Sequence, residues 1–490
     1  MNRTRPRTRQ RSSLRRGLRA VGFPALLVGL LLGLLAGGPA AGAEGAGGSA
    51  AAPVAGERRS YTGTIDGAEF RVEVPERWNG TLMLFSHGYF PPGSPPPEIF
   101  LANRSETATW LLDHGYALAA SKFTGDGTGY LYEPALRDQI ALLNWFEANV
   151  GRPRRTVATG TSMGATIAVL LAERNPHRFD GVATVCGEYD VHATFNMALD
   201  MTFAVKTLLA PGQDIELVRA SDPEGSTQAL LQAVEKALTT PQGRARLALV
   251  AAFSNVTGWY SAHQPRPTDP TERIRQQAAW IHNAYIFGTG PSGRLDIERR
   301  AGGNPSFNVG VDYRRQLARS DQRDPVKKAY RAAGLDLRAD LDRLAAAPRI
   351  GPDPAAVRYM YRYAVARGTI PVPTITLHTT GDAGALPDQE RWYAEQVRRV
   401  GHPDRLRQLY VERGQHCSLN AAEEIVTLRA LLRRIERGRW PDLGPRRLNA
   451  AASGFDSGYH KVLDFGTFEE AVMPPAFTRF TPPRLLRSSR

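Results

Sequence analysis

The chain of 490 residues is longer than one hydrophobic core normally organises, so a single large elaborated domain or two domains are expected. Lysine and arginine total 62 against 48 acidic residues, for a net charge of +14. Eight of the arginines lie before residue 43 and the others are dispersed, often in Arg-Arg pairs. This is the pattern of a solvated surface, and it argues against a nucleic-acid-binding stripe.

The eight early arginines, unaccompanied by any acid, precede an apolar run over 23–35 and then Ala41-Gly42-Ala43. A charged start, an apolar middle and a small-residue cleavage site are the layout of a secretory signal peptide over 1–43. The run is shorter than the roughly 20 residues a spanning helix needs and is interrupted by Gly and Pro, so export with cleavage is expected rather than anchoring. A secreted mature chain with no membrane span follows, its net charge near +6 once eight arginines leave the +14. Arg15-Arg16 loosely resembles a twin-arginine signal and leaves the export route open. Residues 44–60, rich in Ala and Gly at their start, read as a flexible leader.

From residue 61 the pattern turns to β structure. Strands are expected at 61–65 and 70–74, joined by Asp66-Gly67, a hairpin-type turn. The continuous apolar run 82–85 ends at Ser86-His87-Gly88, as for a strand buried on both faces. A helix over 106–113, a strand over 116–120 and a helix carrying Leu136, Ile140 and Leu143 come next. A strand at 156–159 leads into Gly160-Thr161-Ser162-Met163-Gly164, then a helix over 165–173 and a strand at 182–185. Strand–helix alternation of this kind predicts a mainly parallel sheet flanked by helices.

Between about 192 and 369 strand signals vanish, and helical segments at 197–209, 226–238, 244–253, 272–287 and 354–366 predict an inserted all-helical cap. Strand signals return at 372–379 and 406–411, and an amphipathic helix with Ile425, Leu428, Leu432 and Ile435 on one face closes the core. The core thus spans 61–191 and 370–445. Residues 446–490 read as a strap over the surface.

The pattern around Ser162 is G-x-S-x-G between a strand and a helix, the sharp turn that presents a nucleophilic serine above a sheet. A serine hydroxyl needs a base within hydrogen-bond reach and a group to orient that base. Of ten histidines, three follow the strand at 372–379. His402 lies at the wrong end of the sheet and His460 in the strap. His416 follows the strand at 406–411 and precedes the final helix, which makes it the candidate base. Asp382 in Gly381-Asp382-Ala383-Gly384 is the candidate acid. Its rivals are Asp388, expected as a helix N-cap, and Glu188 or Asp190 after the preceding strand. Backbone N–H groups of Tyr89 and Met163 are the candidate oxyanion donors, with His87 a structural residue of its turn.

Taken in that order, His87-Gly88, the Gly160–Gly164 turn, Gly381-Asp382 and His416 resemble the α/β-hydrolase superfamily over roughly 61–191 and 370–440. The 220-residue separation of Ser162 and Asp382 resembles members with a large lid after the sixth strand. The resemblance implies acyl transfer to water through an acyl-enzyme on a small acyl substrate, with an ester the first expectation. An exported aminopeptidase or other peptidase is the alternative, for which Glu188, Asp200 or Glu298 would hold the peptide terminus. A non-catalytic secreted binding protein on the same scaffold is the third reading. His416-Cys417 is similar to tannase and feruloyl-esterase relatives, which tie the residues beside Ser and His by a disulfide. Thr161 precedes the serine here, so that particular bridge is absent.

Two cysteines in an exported chain, Cys186 and Cys417, admit one disulfide or two free thiols. The cap aromatics, among them Phe195, Phe203, Trp259, Trp280 and Tyr285, are expected mainly in its core. No metal spacing or cofactor fingerprint is present. Gly125, Gly127 and Gly129 lack the spacing and following helix of a dinucleotide site. Nothing in the sequence sets the oligomeric state.

Overall fold

The computed structural model describes residues 58–489, so the expected signal peptide and nearly all of the leader lie outside the described residues. Strands β1 (Arg59–Ile65) and β2 (Ala68–Val74) form a hairpin with Ile65 opposite Ala68. Asp66 and Gly67 both have positive φ, 49° and 84°, as a two-residue turn between twisted strands requires. Then follow β3 (Thr81–Ser86), α1 (Ser105–Asp113), β4 (Ala117–Thr124), α2 (Tyr132–Asn149), β5 (Arg155–Thr161), α3 (Met163–Arg174) and β6 (Gly181–Val185).

After β6 come only helices: α4 (Val191–Leu209), α5 (Pro223–Leu238), α6 (Pro241–Ala252), α7 (Pro270–Trp280), α8 (Leu295–Ala301), α9 (Tyr313–Arg319), α10 (Arg323–Ala332), α11 (Leu337–Ala346) and α12 (Pro354–Tyr363). The sheet resumes with β7 (Thr374–Gly381), α13 (Asp388–Val400), β8 (Leu406–Gly414) and α14 (Ala421–Arg437). The C-terminal stretch adds α15 (Pro445–Ala452), a hairpin of β9 (Lys461–Asp464) and β10 (Glu469–Val472), and β11 (Phe477–Thr478).

Among the described residues nine strands form one sheet in the order β1-β2-β4-β3-β5-β6-β7-β8-β11. The six central ones are parallel, and β1, β2 and β11 run antiparallel at the edges. The expected mainly parallel sheet covered by helices is therefore present. All six residues of β3 are buried, because helices cover both faces. Their side chains alternate: Leu82 and Leu84 enter the core shared with α2, α3 and the cap, while Met83 and Phe85 enter the core under α1 and α14.

Register places the site. Ser86 pairs with Gly160, Thr161 with Val185, and Val185 with Leu377, so the carboxyl ends of β3, β5, β6 and β7 share one edge. Ligands of open parallel sheets bind at that edge. Strand β7 runs two residues beyond the expected end at 379, which makes Asp382 the first residue after it.

Helix starts in the cap follow local chemistry. Asp222, Thr240 and Asp269 each accept a backbone N–H of the first turn, and proline follows each at the first helical position. The expected helix over 272–287 is α-helical only to Trp280 and continues as a π-helix, Ile281–Gly288. The last residues of the described chain return to the cap. There Arg487 pairs with Asp200 at 2.8 Å, and Ser489 donates twice to Asp190. Among the described residues no helix is long and apolar enough to cross a membrane.

Candidate active site

Ser162 occupies the turn between β5 and α3 with φ 55° and ψ −120°, a strained conformation for a residue with a side chain. Two residues before and two residues after it, only glycine fits. A Cβ at Gly160 would overlap the carbonyl of Gly164, and one at Gly164 would overlap that of Ser86. The same closeness lays the loop after β3 against the first turn of α3.

His416, in the loop between β8 and α14, brings Nε2 to 2.8 Å from Ser162 Oγ and Nδ1 to 2.8 Å from Asp382 Oδ2. Gly384 makes room for the ring, since a Cβ there would meet His416 Cγ at 2.9 Å. Asp382 is fully buried, and its Oδ1 accepts the N–H groups of Gly384 at 2.8 Å and Ala385 at 3.0 Å. Burial alone would raise its carboxyl; the neighbouring imidazoles, His416 before His378, hold it below the usual range. Met163 N–H is the first donor of α3, at the positive end of that helix. Among the described residues neither it nor Tyr89 N–H donates to a protein acceptor.

His378 was not singled out in the sequence. It lies on β7, fully buried, with Nδ1 3.1 Å from Glu390 Oε1 and Nε2 3.4 Å from Asp382 Oδ2. Nε2 also donates to the Ala385 carbonyl at 2.9 Å. Burial opposes its charge, yet the carboxylates of Asp382 and Glu390 outweigh that and raise it to about 10. Both ring nitrogens face acceptors, an arrangement that favours the charged imidazole behind the Asp382–His416 pair. The available signal was a histidine within an otherwise buried strand, four residues before the candidate acid.

The rivals go elsewhere. Asp388 is not the N-cap of α13: that position belongs to Pro387, and the Asp388 carboxylate turns inward to accept from Asn255 at 2.9 Å. Burial pushes it up to about 7. Asp190 caps α4 through Ala193 N–H. Glu188 accepts from Thr194 Oγ1 at 3.0 Å, and burial pushes it up to about 7. His460 bonds the Phe455 carbonyl in the C-terminal stretch. His87 stacks on Phe123 and bonds two backbone carbonyls, a structural arrangement.

Cys186 and Cys417 form a disulfide, with Cα atoms 5.3 Å apart. Cys186, Gln415 and Cys417 all have positive φ, so the bridge clamps two strained turns beside His416. Cys186, His416 and Cys417 lie within 4.8 Å of one another, but the sulfurs are bonded to each other and supply no thiolate to a metal.

The cap aromatics are chiefly core: Phe195, Phe203, Trp280 and Tyr285 are buried. Tyr130 stacks on Tyr89, meets Phe195 edge-on and donates to the Gly288 carbonyl at 2.8 Å, tying the sheet edge to the π-helix. Single π turns within helices are frequent at functional sites. A groove of about 560 Å³ lined by Trp110, His114, Arg429 and Phe455 belongs to the α1–α14 side of the sheet.

A central parallel sheet with Ser162, Asp382 and His416 at its carboxyl edge, in that chain order, places the protein in the α/β-hydrolase superfamily, and it is a hydrolase. The Esterase family matches over residues 102–212, which include the Ser162 turn. The chain is 27% identical over 426 residues to o-phthalyl amidase from Xanthobacter agilis, covering 80% of this chain and 90% of that protein. Among solved structures it is similar to an esterase from Aspergillus oryzae, with a TM-score of 0.36 and 12% identity over 78% of this chain and 80% of the other. Feruloyl esterase B from the same organism gives a TM-score of 0.35 and 13% identity over 77% of this chain and 80% of the other.

Proposed function

We propose that the protein is a secreted serine hydrolase that cleaves a carboxylic ester through Ser162, His416 and Asp382. The observation that carries this reading is the unbroken chain of hydrogen bonds from Asp382 through His416 to Ser162 Oγ, each 2.8 Å long. In this mechanism Ser162 Oγ attacks the acyl carbon while His416 Nε2 takes its proton. Asp382 holds the Nδ1–H tautomer and stabilises the imidazolium. The N–H groups of Met163 and Tyr89 receive the oxyanion. Collapse expels the leaving group, protonated by His416, and leaves an acyl-Ser162 ester. Water activated by the same imidazole then releases the acid and restores the serine.

The match to the Esterase family favours the ester bond. Amide cleavage is the second reading, favoured by the name of the amidase relative. p-Nitrophenyl esters and p-nitroanilides of the same acyl groups, assayed side by side, separate them. Higher kcat/KM on the esters is expected beyond their greater intrinsic reactivity, and equal enhancement over the uncatalysed rates would overturn the ester assignment. Export with cleavage after Ala43 is part of the proposal. Intact residues 1–43 on protein recovered from the culture medium would contradict it.

A further inference from the structure

Three carboxyls stood as candidates for holding a charged substrate terminus, and the structure separates them. Asp200 is paired with Arg487 at 2.8 Å and accepts from Tyr313 and Gln316. Glu298 is paired with Arg294 at 2.7 Å and accepts the Arg219 N–H. Both are internal structural charges.

Glu188 is different. Among the described residues its carboxylate has one hydrogen bond, from the neutral Thr194 hydroxyl, and no arginine or lysine pairs with it. Its backbone is pinned, because its carbonyl accepts from Thr166 on α3, the helix that begins at the Ser162 turn. It follows β6 at the sheet edge that carries the site, and its charge is felt by Tyr130, Tyr132 and Tyr285 and, in turn, responds to His416. The residue is half-buried, so part of its surface remains reachable by solvent instead of being closed in packed core.

We propose that Glu188 is the specificity-determining anchor of the acyl pocket and that it binds a protonated amine carried by the substrate. This rests on the reading of Ser162 as nucleophile and goes on to name the substrate class, an ester or amide of an amine-bearing, largely apolar acid. A carboxylate with open lone pairs and no basic partner suits an ammonium group, which supplies the charge-assisted hydrogen bonds that the Thr194 hydroxyl leaves unmade. An anionic substituent finds the opposite setting. Asp382 adds charge of the same sign, and Arg294, the cation near Tyr130, is spent on Glu298, Asn304 and Ser306.

The test uses p-nitrophenyl esters of 3- and 4-(aminomethyl)benzoate against the corresponding methylbenzoates, at about pH 8 so that Glu188 is ionised and the amine protonated. Wild-type kcat/KM should favour at least one amine ester by about tenfold or more, as a charge-assisted hydrogen bond implies. Glu188→Gln keeps the acceptor for Thr194 and should bring that ratio to near one. No preference in the wild type, a preference that survives Glu188→Gln, or a preference for the 4-carboxybenzoate ester would overturn the proposal. Competitive inhibition of the wild type supplies a readout that needs no variant. Benzylamine should inhibit more strongly than benzyl alcohol, and equal inhibition would count against the anchor. Turnover of neutral esters that persists in Ser162→Ala would instead sink the nucleophile assignment, so the two failures are distinguishable.

Discussion

Cutting the Cys186–Cys417 bridge should cost both stability and turnover, for separate reasons. The bridge closes a loop of 231 residues. In the chain-entropy account, closure of a loop that long removes enough freedom from the unfolded chain to stabilise the fold by about 5 kcal/mol, and measured values often fall short of such figures. The effect on turnover is local. Cys186 follows β6 and Cys417 follows His416, and with the bridge broken no cross-link ties the strained Gln415 and Cys417 backbone that aims the imidazole to the end of β6. Thermal unfolding followed with and without reductant, alongside initial rates on a p-nitrophenyl ester, checks both parts. Cys417→Ser should match the reduced protein in melting temperature and in kcat. Two thiols that alkylate freely in native, fully active protein would refute the reasoning.

Ser162→Ala and His416→Ala should each lower kcat by about 10⁴-fold or more. Asp382→Asn should cost less than either but far more than Asp388→Asn; the reverse order in kcat would place the acid on Asp388. Asp388, raised to about 7 by burial, weakens the fold as its charge develops, so Asp388→Asn should gain stability over the wild type as pH rises from about 4 through 7. A denaturant midpoint that stays flat against that variant would contradict this. His378 runs from an ordinary value near 6.5 to about 10 in the fold. Its contribution to stability is thus complete below about 6.5 and is lost as pH climbs through about 10. His378→Gln should flatten that alkaline decline in the melting temperature, and an unchanged slope would show that His378 is neutral. Gly164→Ala should abolish activity, because a Cβ there overlaps the Ser86 carbonyl.

The parts of the site that could be read from the sequence are those where backbone geometry restricts residue choice. The Ser162 turn needs glycine at both positions because Gly160 abuts the Gly164 carbonyl and Gly164 abuts that of Ser86, and that need is visible as G-x-S-x-G. His416 and Asp382 were legible through chain order, since each follows a strand of the same parallel sheet. Periodicity found the long amphipathic helices and passed over α8, α9, α10 and α11. Those are ten residues or fewer, rich in arginine, and their starts are set by caps or neighbouring contacts. The π-helix was not legible, because Ile281 and Tyr285 continue the three- and four-residue spacing of Ile274 and Ala278 in the α-helix before it. His378 and the inward turn of Asp388 depend on partners distant in sequence or on burial, and local pattern carries neither.

Ser162 as a covalent nucleophile is the claim on which the mechanism stands. Intact-protein mass spectrometry after treatment with a fluorophosphonate tests it directly. A single phosphonyl adduct is expected, mapping to the peptide that contains Ser162 and absent from Ser162→Ala. Folded protein that takes up no probe, or a variant that is labelled as fully as the wild type, would contradict the account.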